Sequence, residues 1–251
     1  MKVARQRLDQ ALVDRGLVES RTRAQALVLA GKVFSGERRL DKPGQSIAED
    51  TPLEVRGQAH PWVSRGGLKL DHGLATFGYS ATGITAVDVG ASTGGFTHVL
   101  LSRGAAQVFA VDVGWGQLHW SLRTDPRVIV LERTNARHLT AAEITTQPGA
   151  VVCDASFIGL MTVLPATLAL ALPGAWLIAL IKPQFEVGRD GVGKGGVVRD
   201  PDLRQAVCDR IAAWLGALHW QVDGITESPI TGPEGNVEYL IGARKPDQRT
   251  G

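Results

Sequence analysis

The pattern of apolar and polar positions changes character near residue 65. Before that point, apolar residues recur at helical spacing in two short runs. Leu8, Ala11, Leu12 and Val13 make the first, with Gly16 placed as its C-cap. Ser20 opens the second, SRTRAQALVLAGK, which carries Ala24, Leu27 and Val28 on one face and Gly31 as its stop. Strand-like pieces follow: KVFSG, a turn at Gly36, a loop at Asp41-Lys42-Pro43-Gly44, and PLEVRG. The spacing predicts two short helices and a small β-ribbon over residues 1–57, a unit that needs few core residues. Residues 58–64, QAHPWVS, read as a short linker, restricted by Pro61 and anchored by Trp62.

From residue 65 to 245 strands and helices alternate. RGGLKLDHGLATFG is helical, ITAVDVG an apolar strand, GGFTHVLLSRG a helix and AQVFAVDVG a second strand. RVIVLE and GAVVCDAS are the third and fourth strands, FIGLMTVLPATLALAL one long helix, and AWLIALIK the fifth strand. PDLRQAVCDRIAAWLGAL is a further helix, and WQVDGITESP and NVEYLIGARK finish as strands. Continuous apolar strands separated by helices predict an α/β fold, a mostly parallel sheet covered on both faces. The last two strands have no helix between them and predict an antiparallel hairpin at one edge. The tail, residues 246–251, is expected to be disordered.

Composition adds little to this. The chain has 251 residues, with 44% hydrophobic and 21% charged, as in ordinary globular proteins. Its net charge of +2 is uneven. Residues 1–57 hold 11 Lys/Arg against 8 Asp/Glu, and the remainder 16 against 17. The slight basicity therefore sits where an anionic partner would be met. Two cysteines, Cys153 and Cys208, set no disulfide framework, and a reducing compartment is the default. MKVARQRLDQ lacks the apolar segment of a secretory signal. The longest apolar stretch, Leu168 to Ile181, is 14 residues and is interrupted by Pro173-Gly174. A membrane span needs about 20. The expectation is a soluble, cytoplasmic protein with no membrane span.

Six segments carry candidate chemistry. AVDVGASTGGF puts a glycine-rich turn between a strand ending at Asp88 and a helix starting near Gly94, which suits a nucleotide-like ligand or a plain strand–helix turn. It is neither a full G-x-G-x-x-G fingerprint nor a P-loop. Asp112 ends the next strand and could accept both hydroxyls of a ribose. Without a phosphate-binding pattern, S-adenosylmethionine fits better than a dinucleotide. VVCDASF ends its strand at Asp154 and LIKPQFE at Lys182, both at the sheet edge where such folds bind ligands. On these two alone a partly buried salt bridge is the alternative reading. Glu238 in GPEGNVEYL reads as an exposed edge position, and Lys69 in VSRGGLKL as a solvated helical lysine. No metal is called for.

Taken together, VSRGGLKL, DVGASTGGFT, DVGWGQL, ERTNAR, KPQFEVG, GGVVRD and GPEGNVEY resemble, in order and spacing, the FtsJ-like RNA 2′-O-methyltransferases. The whole chain is similar to the TlyA (haemolysin A) family within that group. RLDQALVDRGLVESRTRAQALVLAGKV resembles the helix-turn-helix pattern of an S4 RNA-binding domain. The resemblance implies a Rossmann-like class I methyltransferase with a seven-stranded sheet behind a small α+β S4 domain. It implies a Lys-Asp-Lys-Glu tetrad at Lys69, Asp154, Lys182 and Glu238. It places the cofactor, S-adenosylmethionine, on Asp88, Gly90, Ser92, Thr93, Gly94, Gly95, Phe96 and Val113, with Asp112 at the ribose and Asn135 near the adenine. Its partner is ribosomal RNA or a ribosomal subunit, with cytidine in the small-subunit or large-subunit RNA as the target. Arg5, Arg7, Arg21, Arg23, Lys32 and Lys42 are the expected phosphate contacts, although Glu37 and Glu49-Asp50 dilute that basic face.

The reaction so implied is an in-line displacement at an activated methyl, so the enzyme mainly positions two reactants and helps the 2′-OH lose its proton. Lys182 is the expected group at that hydroxyl, either as a neutral base or as a charged positioning group. The loop 188–200, GRDGVGKGGVVRD, is a candidate cover over the substrate or a static surface loop. Three alternatives remain beside this reading: a non-catalytic ribosome assembly factor, a membrane-active haemolysin, and a small-molecule methyltransferase.

Overall fold

A computed structural model describes residues 5–18, 20–56, 60–188 and 191–247. Part of the expected linker (58–59), two residues of the glycine-rich loop (189–190) and most of the expected tail (248–251) lie outside these residues.

The N-terminal unit contains β1 (Arg5–Arg7), α1 (Leu8–Asp14), α2 (Arg21–Leu29), β2 (Val33–Ser35), β3 (Arg38–Arg39), β4 (Ser46–Ala48) and β5 (Glu54–Val55). Leu8, Leu12, Val28, Val33 and Ile47 pack into its core. Ser20 caps α2 by accepting the Arg23 N–H, as its position predicts. Sequence reading missed β1, which pairs antiparallel with β4. A three-residue strand of polar residues has no periodicity to show.

The larger unit begins with α3 (Gly66–Phe77) and continues with β6 (Thr85–Val89), α4 (Gly95–Ser102), β7 (Gln107–Val111), α5 (Trp120–Arg123), β8 (Val128–Leu131) and β9 (Ala150–Cys153). After these come α6 (Leu160–Val163), α7 (Pro165–Leu170), β10 (Trp176–Ile181), α8 (Pro183–Glu186), α9 (Pro201–Ala217), β11 (Gln221–Glu227) and β12 (Tyr239–Arg244). The seven strands lie in the order β11-β12-β10-β9-β6-β7-β8. The hairpin expected at the edge is there, and β12 runs antiparallel to both neighbours. Alternate residues of the central strands face opposite layers. Val87, Val151 and Leu177 join α6, α7 and α9, while Ala86, Val152 and Ile178 join α3 and α4. Both faces are buried, which is why these strands read as unbroken apolar runs.

Three expectations about the elements are corrected. The long helix over 157–172 is two helices: Pro165 has no N–H to continue α6 and instead opens α7. Residues 154–159 stay non-helical, with Phe157 at φ +64°. The last strand starts at Tyr239, so Glu238 stands just before it. Pro183, just past the end of β10, opens the one-turn helix α8.

Candidate active site

The chain order of the sheet reverses between β6 and β9: β7 and β8 extend to one side, β9 and β10 to the other. Ligands in such sheets lie over the carboxyl ends at that reversal. Parallel register sets Val89 beside Cys153, so Gly90 and Asp154 leave the sheet together. Gly90 has φ +82°, and a Cβ there would lie 2.8 Å from the Ala155 Cα. Only glycine lets the two strand ends come this close. Gly94, at φ +94°, precedes α4.

Antiparallel register explains Glu238. Tyr239 pairs with Ile181, so the start of β12 lies beside the end of β10, and Glu238 meets Lys182 at the same rim. Helix α3 packs over the sheet and brings Lys69 to that rim. The four side chains form one line of ion pairs. Glu238 Oε2 lies 2.6 Å from Lys69 Nζ, Asp154 Oδ2 3.7 Å from the same Nζ, and Asp154 Oδ1 2.6 Å from Lys182 Nζ. Lys69, Lys182 and Glu238 are buried, which overturns the solvated and exposed readings of Lys69 and Glu238. Lys182 Nζ also donates to the Asp154 carbonyl at 3.1 Å and to Ser156 Oγ at 2.9 Å. These two hydrogen bonds and the ion pair with Asp154 Oδ1 hold the Lys182 head group in place. Sequence reading missed Ser156, whose only signal is its place three residues past the end of β9. The adjacent Cys153 thiol is pushed up to about 12 by burial and offers no thiolate here.

Three cavities meet at this line. One of about 260 Å³ is bounded by Gly90, Ser92, Thr93, Gly95 and Phe96 together with the four charged residues. A second of about 590 Å³ runs past Gly90 and Ser92 to Asp112, Val113 and Asn135. Asp112 accepts the Ser92 N–H at 2.8 Å on one oxygen and the Gly114 N–H at 2.7 Å on the other. This ties the two loops together and leaves lone pairs for further donors. Asn135 caps a short 3₁₀ turn through its Oδ1, and Val113 is exposed on the cavity wall. The third cavity, about 320 Å³, lies beyond Lys182 and Glu238 and is lined by Ser156, Phe157, Phe185 and Asn236. Phe157 is 89% exposed, and its ring lies 5.1 Å from that of Phe185. Ser64, from the expected linker, also lines the first cavity.

Asp88 lies elsewhere than the resemblance implies. It lines none of these three cavities and is fully buried beneath the turn. Its Oδ2 accepts the Thr97 N–H at 2.9 Å and the Thr97 hydroxyl at 2.7 Å, which braces the first turn of α4. Burial raises its carboxyl to about 7. The expected phosphate contacts are all exposed, but not all are free. Arg5 bonds Ser46, and Arg7 and Arg21 both pair with Asp9. Among the described residues no group of three or more His, Cys, Asp and Glu could hold a metal, and no helix is long and apolar enough to cross a membrane.

The arrangement suits transfer between two small ligands, one on each side of a buried row of charges. The glycine cradle, the acid at the end of β7 and the exposed Val113 fit an adenosine-containing cofactor. Comparison with known proteins agrees. The FtsJ-like methyltransferase family matches residues 62–245, and the S4 domain matches residues 6–50. The 16S/23S rRNA (cytidine-2′-O)-methyltransferase TlyA of Mycobacterium tuberculosis is 49% identical over 98% of this chain and 92% of its own. Hemolysin A of Brachyspira hyodysenteriae is 37% identical over 93% of this chain and 98% of its own. Among solved structures, a provisionally described haemolysin from Streptococcus thermophilus superposes with a TM-score of 0.76 at 40% identity, covering 98% of this chain and 90% of that one. The chain belongs to the FtsJ-like methyltransferases, in the TlyA family that carries an S4 domain ahead of the methyltransferase fold.

Proposed function

We propose that this protein transfers a methyl group from S-adenosylmethionine to the 2′-hydroxyl of a cytidine in ribosomal RNA, working in the cytoplasm on rRNA or a ribosomal subunit. The observation that carries the reading is the buried line Glu238–Lys69–Asp154–Lys182 set between the cavities. Residues 1–57 serve RNA binding, residues 58–64 link, and residues 65–245 hold the chemistry.

Gly90, Ser92, Thr93, Gly94, Gly95 and Phe96 form the cradle for the cofactor, with Asp112 at its ribose and Val113 and Asn135 at its base. When bound, the cofactor supplies an activated methyl on a sulfonium, so no nucleophile of the protein is needed. The acceptor nucleoside occupies the third cavity, where the exposed Phe157 ring offers a stacking face. Lys182 gives up one of its present acceptors to hold the 2′-oxygen in line and to stabilise the charge that develops on it. The hydroxyl proton passes to the carboxylate side of the line. Glu238 Oε1 is buried there and accepts no hydrogen bond among the described residues.

The test is methyl incorporation into ribosomal subunits from labelled S-adenosylmethionine, followed by nucleoside analysis. Wild-type protein is expected to yield 2′-O-methylcytidine and the Lys182→Ala protein none. Equal incorporation by the two would overturn the assignment of Lys182.

A further inference from the structure

The face of the N-terminal unit that carries the expected phosphate contacts is organised around an acid. Asp9 is fully buried, and its carboxylate accepts five hydrogen bonds, each at 3.0 Å. Arg7 donates through Nε to Oδ1 and through Nη2 to Oδ2, a paired fork. Arg21 Nε and Gln25 Nε2 donate to Oδ2, and the Gln10 N–H donates to Oδ1. The hydrogen bond from Arg7 holds this carboxyl well below the usual carboxylate range. Both arginines nevertheless keep about half their side-chain surface in solvent, 52% and 50%. The Asp9 N–H donates to the Pro43 carbonyl at 2.9 Å, and the neighbouring Leu8 N–H to the Gln45 carbonyl at 2.9 Å, so the loop bearing Lys42 is tied to the same point. A Cβ at Gly44 would lie 3.2 Å from Arg7 Nη2, so glycine lets that loop lie against the guanidinium.

A buried carboxylate in a unit meant to meet phosphates is electrostatically adverse unless it does something else. Long, exposed arginines otherwise lose rotamer freedom when they bind. We propose that Asp9 is a positioning residue for RNA binding, fixing Arg7, Arg21 and the Lys42 loop as one prearranged face for backbone phosphates. The proposal rests on the reading of this unit as an RNA contact.

Charge and prearrangement predict opposite signs. Asp9→Asn keeps the shape and raises the net charge by one. Charge alone would tighten RNA binding. Prearrangement predicts binding about tenfold weaker, from ordering two arginines on contact. Because both arginines stay charged, the dependence of log affinity on log salt should keep its slope while the whole line drops. Arg7→Gln removes a phosphate contact and should lower the slope by about 0.7–0.9.

The experiment titrates full-length wild-type, Asp9→Asn, Arg7→Lys and Arg7→Gln proteins against a ribosomal RNA fragment at several salt concentrations, alongside S-adenosylmethionine affinity and melting temperature. Weaker RNA binding at unchanged slope and unchanged cofactor affinity supports the proposal. RNA binding by Asp9→Asn as tight as wild type, or tighter, overturns it. Should Asp9→Asn fail to fold, Arg7→Lys decides: it keeps the charge and loses the fork, so weakened binding supports the proposal and wild-type affinity overturns it. A wild-type protein that binds no RNA would instead overturn the underlying reading of the unit.

Discussion

Lys69 and Glu238 stand 169 residues apart in the chain and 2.6 Å apart in the fold, both buried. Removing one partner strands the other. Lys69→Met should destabilise the protein by about 3–5 kcal/mol, because an unpaired carboxylate is left where water does not reach. The double variant Lys69→Met, Glu238→Gln should recover most of that stability and none of the activity. Denaturant unfolding of the wild type and the two variants checks the first statement and methyl transfer the second. A double variant as unstable as the single one would show that the pair is not energetically coupled.

Asp88 makes stability depend on pH. Its ordinary value is 3.8, and burial raises it to about 7 in the fold. The folded protein therefore holds a proton that the unfolded chain releases, and stability falls as pH rises from about 4 to about 7. Above that the full cost of the buried charge is present. Asp88→Asn keeps an oxygen for Thr97 and carries no charge. Its melting temperature should exceed the wild type's by several degrees at pH 8, with the gap closing towards pH 4. A constant gap across that range would contradict the assignment.

Asn236 pins the wall of the third cavity. Its Oδ1 accepts the Val198 N–H at 3.1 Å, its Nδ2 donates to the Gly196 carbonyl at 3.0 Å, and the residue is 2% exposed. It thereby joins the glycine-rich segment to the loop that leads into Glu238. Asn236→Ala should raise KM for the RNA acceptor about tenfold, the cost of losing two buried hydrogen bonds, and leave cofactor affinity unchanged. Steady-state kinetics against each substrate, with cofactor titration, separates the two. Equal losses in both would point to general unfolding.

Much of the fold is legible in the sequence because the central strands are buried on both faces and the helices between them are amphipathic. The glycine-rich turn and Asp112 are legible too, since both follow strand ends in the chain. Glu238 and Lys69 looked bland for a physical reason: their neighbours are set by register across β10 and β12 and by the packing of α3, which no local pattern records. Asp88 shows the reverse case. The motif marks its position, but only the packing of α4 shows that it braces the turn from below. Pro165 was visible, yet an unbroken apolar run on both sides masked the break it makes. Ser156 and Phe157 lie in an irregular segment, where periodicity has nothing to say.

The central claim is that Lys182, in line with Asp154, Lys69 and Glu238, presents a ribose 2′-hydroxyl to the cofactor's methyl. Mapping the methylated position on ribosomal subunits incubated with labelled S-adenosylmethionine tests it most directly. The account predicts label on the 2′-oxygen of cytidine with wild-type protein and its loss with Lys182→Ala at unchanged cofactor and RNA affinity. Label on a base, or undiminished label with Lys182→Ala, would contradict it.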